Sequence, residues 1–408
     1  MKKYCFIVLS ILITSGVFAQ KKNFSYKFYG QIRTDLFYNS RANEETVDGL
    51  FYMYPKDKIR DDDGNDLNGT ANGNFYILYS RLGIDVAGPK LGTAKTSAKV
   101  EVDLRGSGSS YSTVRIRHAY LNLDWGTSAL LVGQTWHPLF GDVSPQILNL
   151  ATGAPFQPFN RSPQIRYRYT DRNLQLTGAL LWQSQYLSQG PAGKSQAYIK
   201  NSCIPEVYVG ADYKSEGLLA GAGIELLSLK PRTQAIGENG HTYKVNERIT
   251  TLSYEAHVKY TNKDWFLGAK TVLGSNLTQA SGLGGFGIKS TDERTGEQKY
   301  TPITVSSTWV NAVYGQKWKP GIFVGYAKNL GTSNELQAGS KLYGTGTNLD
   351  QLVTAGAELS YNVSNWKFGL EYTLSTAWYG SVEHSSGKII DTHAVCNNRI
   401  VAVAMFQF

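Results

Sequence analysis

After Ala19 the chain contains no apolar run approaching the ~18 residues from which a membrane-spanning helix is built. Mean hydropathy is −0.29, so a helical membrane protein is excluded. Cysteine is scarce: Cys5, Cys203 and Cys396 are the whole complement, too few for a disulfide scaffold. The histidines (118, 137, 241, 257, 384 and 393) stand apart and form no metal-ligand or catalytic signature, so neither a metal nor a cofactor is expected. No Pro-rich linker, low-complexity tract or shift of composition divides the chain. The net charge of +9, or +7 without Lys2 and Lys3, is a modest excess that calls for no nucleic acid. What is plentiful is aromatic and small: 26 Tyr, 8 Trp and 42 Gly, the composition of a sheet protein with many turns.

The N-terminus reads as a signal peptide over residues 1–19. Lys2 and Lys3 supply the positive region, Tyr4 to Ile13 the apolar core, and Val17-Phe18-Ala19 the cleavage site. The apolar core is too short to span a bilayer. Export across the inner membrane is therefore expected, with the mature protein in residues 20–408.

From Lys27 onward the sequence alternates with period two, which puts one side-chain set on each face of a strand. Phe28, Ile32, Leu36 and Tyr38 oppose Gln31, Arg33 and Asp35. Ala94, Thr96, Ala98, Val100, Val102 and Leu104 oppose Lys95, Ser97, Lys99, Glu101, Asp103 and Arg105. Leu174, Leu176, Leu180, Trp182 and Tyr186 oppose Gln175, Thr177, Gln183 and Gln185. Segments 249–260, 352–363 and 366–374 follow the same rule. A water-facing sandwich has no use for an inner face made of charges; a barrel with lipid outside and water inside does.

Connection lengths alternate as well. Short turns are expected at 88–93, 124–128, 170–173, 215–217, 261–264, 318–320 and 364–365. Long polar stretches are expected near 39–73, 136–162, 188–204, 231–247, 277–302, 331–350 and 381–396. Short periplasmic turns and long outer loops are how outer-membrane barrels are built. Trp125, Trp265, Trp318 and Trp366 sit near the turns, as an interfacial girdle would. The segments number about sixteen, with fourteen or eighteen still open because 113–136 and 265–316 are hard to divide. The expectation is all-β: a transmembrane antiparallel barrel, closed because an open sheet would leave backbone groups unpaired in lipid. The last segment puts Ile400, Ala402, Ala404, Phe406 and Phe408 on one face. A final strand with a terminal Phe resembles the signal read by the barrel-assembly machinery of the Gram-negative outer membrane.

Two stretches depart from the generic pattern. Val114-Arg115-Ile116-Arg117-His118-Ala119-Tyr120-Leu121 is followed by Leu131-Val132-Gly133-Gln134-Thr135-Trp136, and Arg161-Ser162-Pro163-Gln164-Ile165-Arg166-Tyr167-Arg168-Tyr169 comes later. Between them, residues 137–160 hold Pro138, Pro145, Pro155 and Pro158 with Phe140, Phe156 and Phe159. This connection is too long for a hairpin and too apolar for solvent. The expectation is that it folds inward as a constriction loop, a capping loop or a loop at a subunit interface being the other readings. The R-x-R-H-A-Y stretch, the L-L-V-G-Q-T-W strand, the Pro/Phe-rich loop and the R-x-P-Q-I-R-Y strand resemble those of the DcaP-like trimeric porins. That resemblance implies a sixteen-stranded barrel, a homotrimer and passive uptake of small, mainly anionic solutes. Some members carry an N-terminal coiled coil, for which this sequence offers no segment.

Charge placement points the same way on its own. Gln164, Arg166 and Arg168 share one face of their strand, opposite Ile165, Tyr167 and Tyr169. A lipid-facing Arg costs ~2–4 kcal/mol near the midplane, so these arginines must face the lumen. The same reasoning turns Arg115 and Arg117 inward, and Arg33, Arg81 and Arg105 fall on polar faces. Such guanidinium groups would line a pore for anions, with Asp142 as an opposing charge across it. The bland alternative is that they pair with wall carboxylates and stiffen the barrel. Cys203 and Cys396 are either a disulfide or two unrelated thiols near strand tops. The acidic loop Lys56–Asp66 reads as a solvated surface loop rather than a calcium site. Rival functions are an adhesive or structural barrel, a plugged transporter, for which no room precedes the first strand, and a barrel enzyme, for which His137 is the residue to test.

Overall fold

The computed structural model describes residues 24–46, 51–105, 113–149 and 153–408. The expected signal peptide lies outside the described residues. Sixteen antiparallel strands form one closed barrel. They are β1 (Ser25–Asn39), β2 (Asn72–Tyr76 and, after a short break, Arg81–Leu91), β3 (Ala94–Arg105), β4 (Thr113–Asp124), β5 (Ser128–Trp136), β6 (Arg161–Asp171), β7 (Leu174–Leu181) and β8 (Glu206–Lys214). The circuit continues with β9 (Leu218–Leu229), β10 (Ile249–Thr261), β11 (Trp265–Ser275), β12 (Gln298–Tyr314), β13 (Trp318–Thr332), β14 (Leu349–Val363), β15 (Trp366–Val382) and β16 (Ile389–Gln407).

Closure falls where the sequence ends. β1 pairs antiparallel with β16 from Gln31↔Gln407 to Asn39↔Arg399. One step further, Gly30 and Phe408 exchange both backbone hydrogen bonds, at 2.9 and 3.1 Å. Among the described residues each of the sixteen barrel strands is thereby paired on both sides, as a sheet in hydrocarbon requires. The Phe408 ring covers Gly30 so closely that a Cβ there would lie 2.6 Å from it and 2.8 Å from the Arg81 carbonyl.

The alternation partitions as expected. Ile32, Leu36 and Tyr38 are exposed on the outer face, whereas Gln31, Arg33 and Asp35 are buried inside. On β3, Val100 faces out while Glu101 and Asp103 face in. At the short-turn end, three successive junctions set a tryptophan directly opposite an aromatic. Trp265 faces Tyr314 at 4.7 Å, Trp318 faces Tyr361 at 4.6 Å and Trp366 faces Phe406 at 4.9 Å between ring centroids. Such pairs lock the register at the height where amphipathic rings favour the lipid–water boundary.

Several expectations need correction. The turn placed at 318–320 is at 315–317, because Trp318 to Pro320 already pair with Tyr361 to Leu359. The stretch 381–396 is mostly strand, and only 383–388 connects β15 to β16. In 277–302 an extra strand, Gly284–Thr291, folds back on β12 and also meets Leu342–Thr345. Tyr186 belongs to the loop after β7 and is buried within the molecule, not on the lipid face. The stretch 39–73 is not uniformly polar: Phe51–Pro55 is wholly buried and pairs with Asn43–Thr46. Cys203 and Cys396 are both exposed and unbridged. Cys203 ends the short helix Ala197–Ser202 before β8, and Cys396 lies on β16, half the barrel circumference away.

If Gly30 is the seat of the closing ring, Gly30→Ala should destabilise the folded barrel by about 1–3 kcal/mol, the usual cost of overpacking. Urea unfolding in lipid vesicles measures this, and the same change at Gly178, where a Cβ meets nothing within 4 Å, should be much milder.

Candidate functional site

Residues 137–160 leave β5 and return at β6, and between those points they reach the far wall. The segment is described over 137–149 and 153–160. Leu148 packs on Phe37, Val401 and Val403, which belong to β1 and β16. A Cβ at Gly369 of β15 would lie 2.5 Å from the Leu148 side chain, and one at Gly325 of β13 would lie 2.4 Å from the Phe156 ring. These two glycines are sockets in the wall for the two apolar side chains. β13 to β15 stand opposite β5 and β6 in the sixteen-strand circuit, so the segment crosses the interior.

Polar straps hold it there, each matching a backbone group that would otherwise be orphaned. The Leu148 N–H donates to Glu358 Oε2 at 2.7 Å and Glu371 Oε2 at 2.8 Å, two carboxylates directly opposite each other on β14 and β15. The Leu148 carbonyl accepts from Arg33 Nη2 at 2.6 Å, and Arg33 also pairs with Asp35. Gln146 N–H donates to Asn311 Oδ1 at 2.7 Å. Near the root, buried Lys270 donates to the carbonyls of Leu139 and Phe140 at 2.7 and 2.9 Å. Gln157 braces the two limbs, donating to Phe140 and Val143 carbonyls while accepting from Trp309 Nε1. Trp136 stacks on Phe140 at 3.9 Å, and Phe159 meets Phe51 of the first loop edge-on at 4.8 Å.

The sequence-predicted charges fall into two groups. On the β2–β4 wall, Arg115 makes a bidentate pair with Asp103, Arg117 reaches both Glu101 and Asp103, and Arg81 lies 3.6 Å from Glu101. A bulge adds Arg117 to β4, since Val102 faces Ile116 and Glu101 faces His118; Arg117 and His118 are both buried as a result. With Arg33 and Asp35, this is a lattice in which each of these arginines has a carboxylate partner. Arg105 is exposed at the end of β3.

The second group is different. Gln164 is buried and accepts from Arg166 Nε at 2.8 Å; Arg166 also donates to the Trp136 carbonyl. Arg168, about a third exposed, approaches Asp142 at 3.7 Å. Lys214 lies 3.5 Å from the same carboxylate, and Lys259 donates to the Asp142 carbonyl at 2.8 Å. Arg166, Arg168, Lys214 and Lys259 thus surround one acid of the crossing segment. The sequence reading brought Gln164, Arg166, Arg168 and Asp142 forward but missed Lys214, Lys259 and Lys270. Lys259 was legible as an inward position of β10; Lys270 sits in a region whose strand divisions were ambiguous. The inward turn of Phe51–Pro55 also had a signal: five apolar or aromatic residues in a row within a polar loop.

His137 is buried, with Nε2 3.1 Å from Glu206 and Nδ1 accepting from the Leu139 N–H, so both ring nitrogens are engaged in fixing the start of the segment.

Arg33→Ala removes the donor to the Leu148 carbonyl. Amide exchange in the 143–149 region should accelerate about tenfold or more, given that a hydrogen bond to a charged group contributes about 1.5–3 kcal/mol. Exchange mass spectrometry of the barrel in detergent reads this, with peptides of β10 as the unaffected control.

Residues 16–181 match the family model described as DcaP outer membrane protein. Comparison with curated proteins finds no match. Among solved structures, the outer membrane channel DcaP of Acinetobacter baumannii aligns with a TM-score of 0.68 at 18% identity, covering 96% of this chain and 99% of that one. The in-vitro folded OmpT of Vibrio cholerae, in its trimer form, gives 0.56 at 14% identity over 95% and 100%. The anion-selective porin from Comamonas acidovorans gives 0.55 at 11% identity over 94% and 100%. At such identities the structural likeness speaks for the fold, and the family match covers the motif block and the crossing segment. The chain therefore has the β-barrel fold of these outer-membrane proteins, and its residues 16–181 are similar to the DcaP outer membrane protein family.

Proposed function

We propose that this barrel is a passive channel for small hydrophilic solutes, with a preference for anions, and that residues 137–160 are its constriction. The observation that carries the reading is the cluster of Arg166, Arg168, Lys214 and Lys259 against the crossing segment, with one carboxylate, Asp142, among them. Arg166, Arg168, Lys214, Lys259 and Lys270 outnumber Asp142, Asp212 and Glu255 here and leave a positive local potential. In a narrow, partly desolvated passage such a potential raises the concentration of anions and steers them inward. Arg168 and Lys214 keep about a third of their side-chain surface exposed and can meet a passing carboxylate or phosphate. The paired arginines of the β2–β4 wall contribute little to that field, because Asp35, Glu101 and Asp103 offset them; their role is to stiffen the wall. Names among the structural neighbours, an outer membrane channel and an anion-selective porin, favour the same reading. The trimer form of OmpT favours a homotrimer here. Insertion would rely on outer-membrane lipid and on recognition of Phe406 and Phe408 by the barrel-assembly machinery.

Reversal potentials across planar bilayers test the proposal. The wild type should favour chloride over potassium. Arg168→Ala with Lys214→Ala should reduce that preference about twofold or more, less so at high ionic strength. Arg115→Ala should leave selectivity near the wild-type value while lowering stability by about 3 kcal/mol, because it breaks a buried pair. Absence of any conductance would contradict the channel reading, and cation preference in the wild type would contradict the anion reading.

A further inference from the structure

Behind the root of the crossing segment, against the inner wall of β8 to β11, lies a group of buried polar side chains that the solute pathway does not use. Glu225 of β9 is fully buried and faces Ser253 of β10 in the register. Its Oε1 accepts a long hydrogen bond, 3.4 Å, from Gln279 Nε2, and its Oε2 has no partner. Thr251 lies two positions before Ser253 on β10, on the same inward face, opposite Leu227. Asn276 directly follows Ser275, whose N–H donates to Ser253 Oγ at 3.1 Å. Thr251, Asn276 and Gln279 are each more than nine-tenths buried, and Thr251 Oγ1, Asn276 Oδ1 and Gln279 Oε1 also lack partners. Glu225 Oε2, three further unpartnered oxygens and the unpartnered Asn276 Nδ2 therefore lie on neighbouring side chains of this wall.

Charge makes the deficit sharper. Glu206, fully buried on neighbouring β8, has His137 and Gln183 as partners. Among the described residues Glu225 has only neutral partners. A buried carboxylate without a counter-charge is strongly unfavourable. Water can hydrogen-bond these groups, but it brings no charge and leaves an ionised Glu225 uncompensated. A hard cation takes lone pairs from the oxygens and supplies the charge together, leaving only the Asn276 Nδ2 donor to find an acceptor. A carboxylate, two amide oxygens and a hydroxyl are the ligand chemistry of calcium, which accepts six to eight oxygens and takes the remainder from water or carbonyls.

We propose that Glu225, Thr251, Asn276 and Gln279 form a structural site for a divalent cation of calcium type. Its place gives it a role. Ala280, next to Gln279, accepts the Phe159 N–H at 2.7 Å, which ties the end of the crossing segment to residues 276–283. An ion at Glu225 would fix those residues on the wall, and with them the return limb of the constriction.

Calcium content tests the site. Wild-type barrel, folded with calcium and then dialysed, should retain about one more calcium ion per chain than Glu225→Gln or Asn276→Ala, read by plasma mass spectrometry. Weak binding at the exposed Asp61–Asp66 loop is common to all three proteins and cancels in the difference. A chelator present during folding should lower the wild-type melting temperature and leave that of Glu225→Gln unchanged. Should Glu225→Gln fail to fold, Asn276→Ala, which removes only a neutral ligand, supports the same comparison. Equal calcium in all three proteins, or a chelator-insensitive wild type, would overturn the proposal in favour of a protonated Glu225 solvated by water.

Discussion

A backbone amide in hydrocarbon finds no partner except another backbone amide, and from that constraint the rest of this molecule follows. It forces the sheet to close, which sets β1 against β16 and makes the last residue a structural one: Phe408 exchanges two backbone bonds with Gly30 and lays its ring over the missing side chain there. Closure also divides the side chains. With lipid on one side, every charged residue on a strand must point inward, and charges packed into a closed tube must then be matched, hydrated or used.

The three outcomes appear in different sectors. On β2 to β4 the charges are matched, and Arg115, Arg117, Asp103 and Glu101 form a lattice that spends its electrostatics on itself. Across the interior they are used as straps: Arg33, Lys270 and the carboxylates of Glu358 and Glu371 take up the backbone groups that the irregular 137–160 segment cannot pair by itself. Around Asp142 they remain partly hydrated, and there Arg168 and Lys214 stay available to solutes. Selectivity, in this account, belongs to the few charges that structure leaves unspent.

Which parts were legible in the sequence depends on the range of the interaction. Period-two alternation is local, so the faces of β1, β3 and β16 read correctly, and so did the sixteen strands. The inward fold of 137–160 was readable because its prolines and phenylalanines fit neither solvent nor a hairpin. What failed was set by distant partners. Nothing near Arg115 in the chain announces that Asp103 will lie across from it, and nothing near Leu148 announces Gly369. The strand ends at 318 and 389 shifted because cross-strand pairing continues through polar residues that look like loop. The apolar run at Phe51 was legible too, like the inward position of Lys259, but its surroundings are so polar that it reads as loop.

The central claim is that solutes pass between the crossing segment and the basic residues at Arg168. Cysteine accessibility tests it most directly. In a background with Cys203→Ser and Cys396→Ser, Arg168→Cys and Arg115→Cys channels would each be exposed to a charged methanethiosulfonate reagent during bilayer recording. A stepwise fall in conductance is expected for Arg168→Cys and none for Arg115→Cys, whose position is sealed in the wall lattice. An unmodified current through Arg168→Cys channels would place the pathway elsewhere and contradict it.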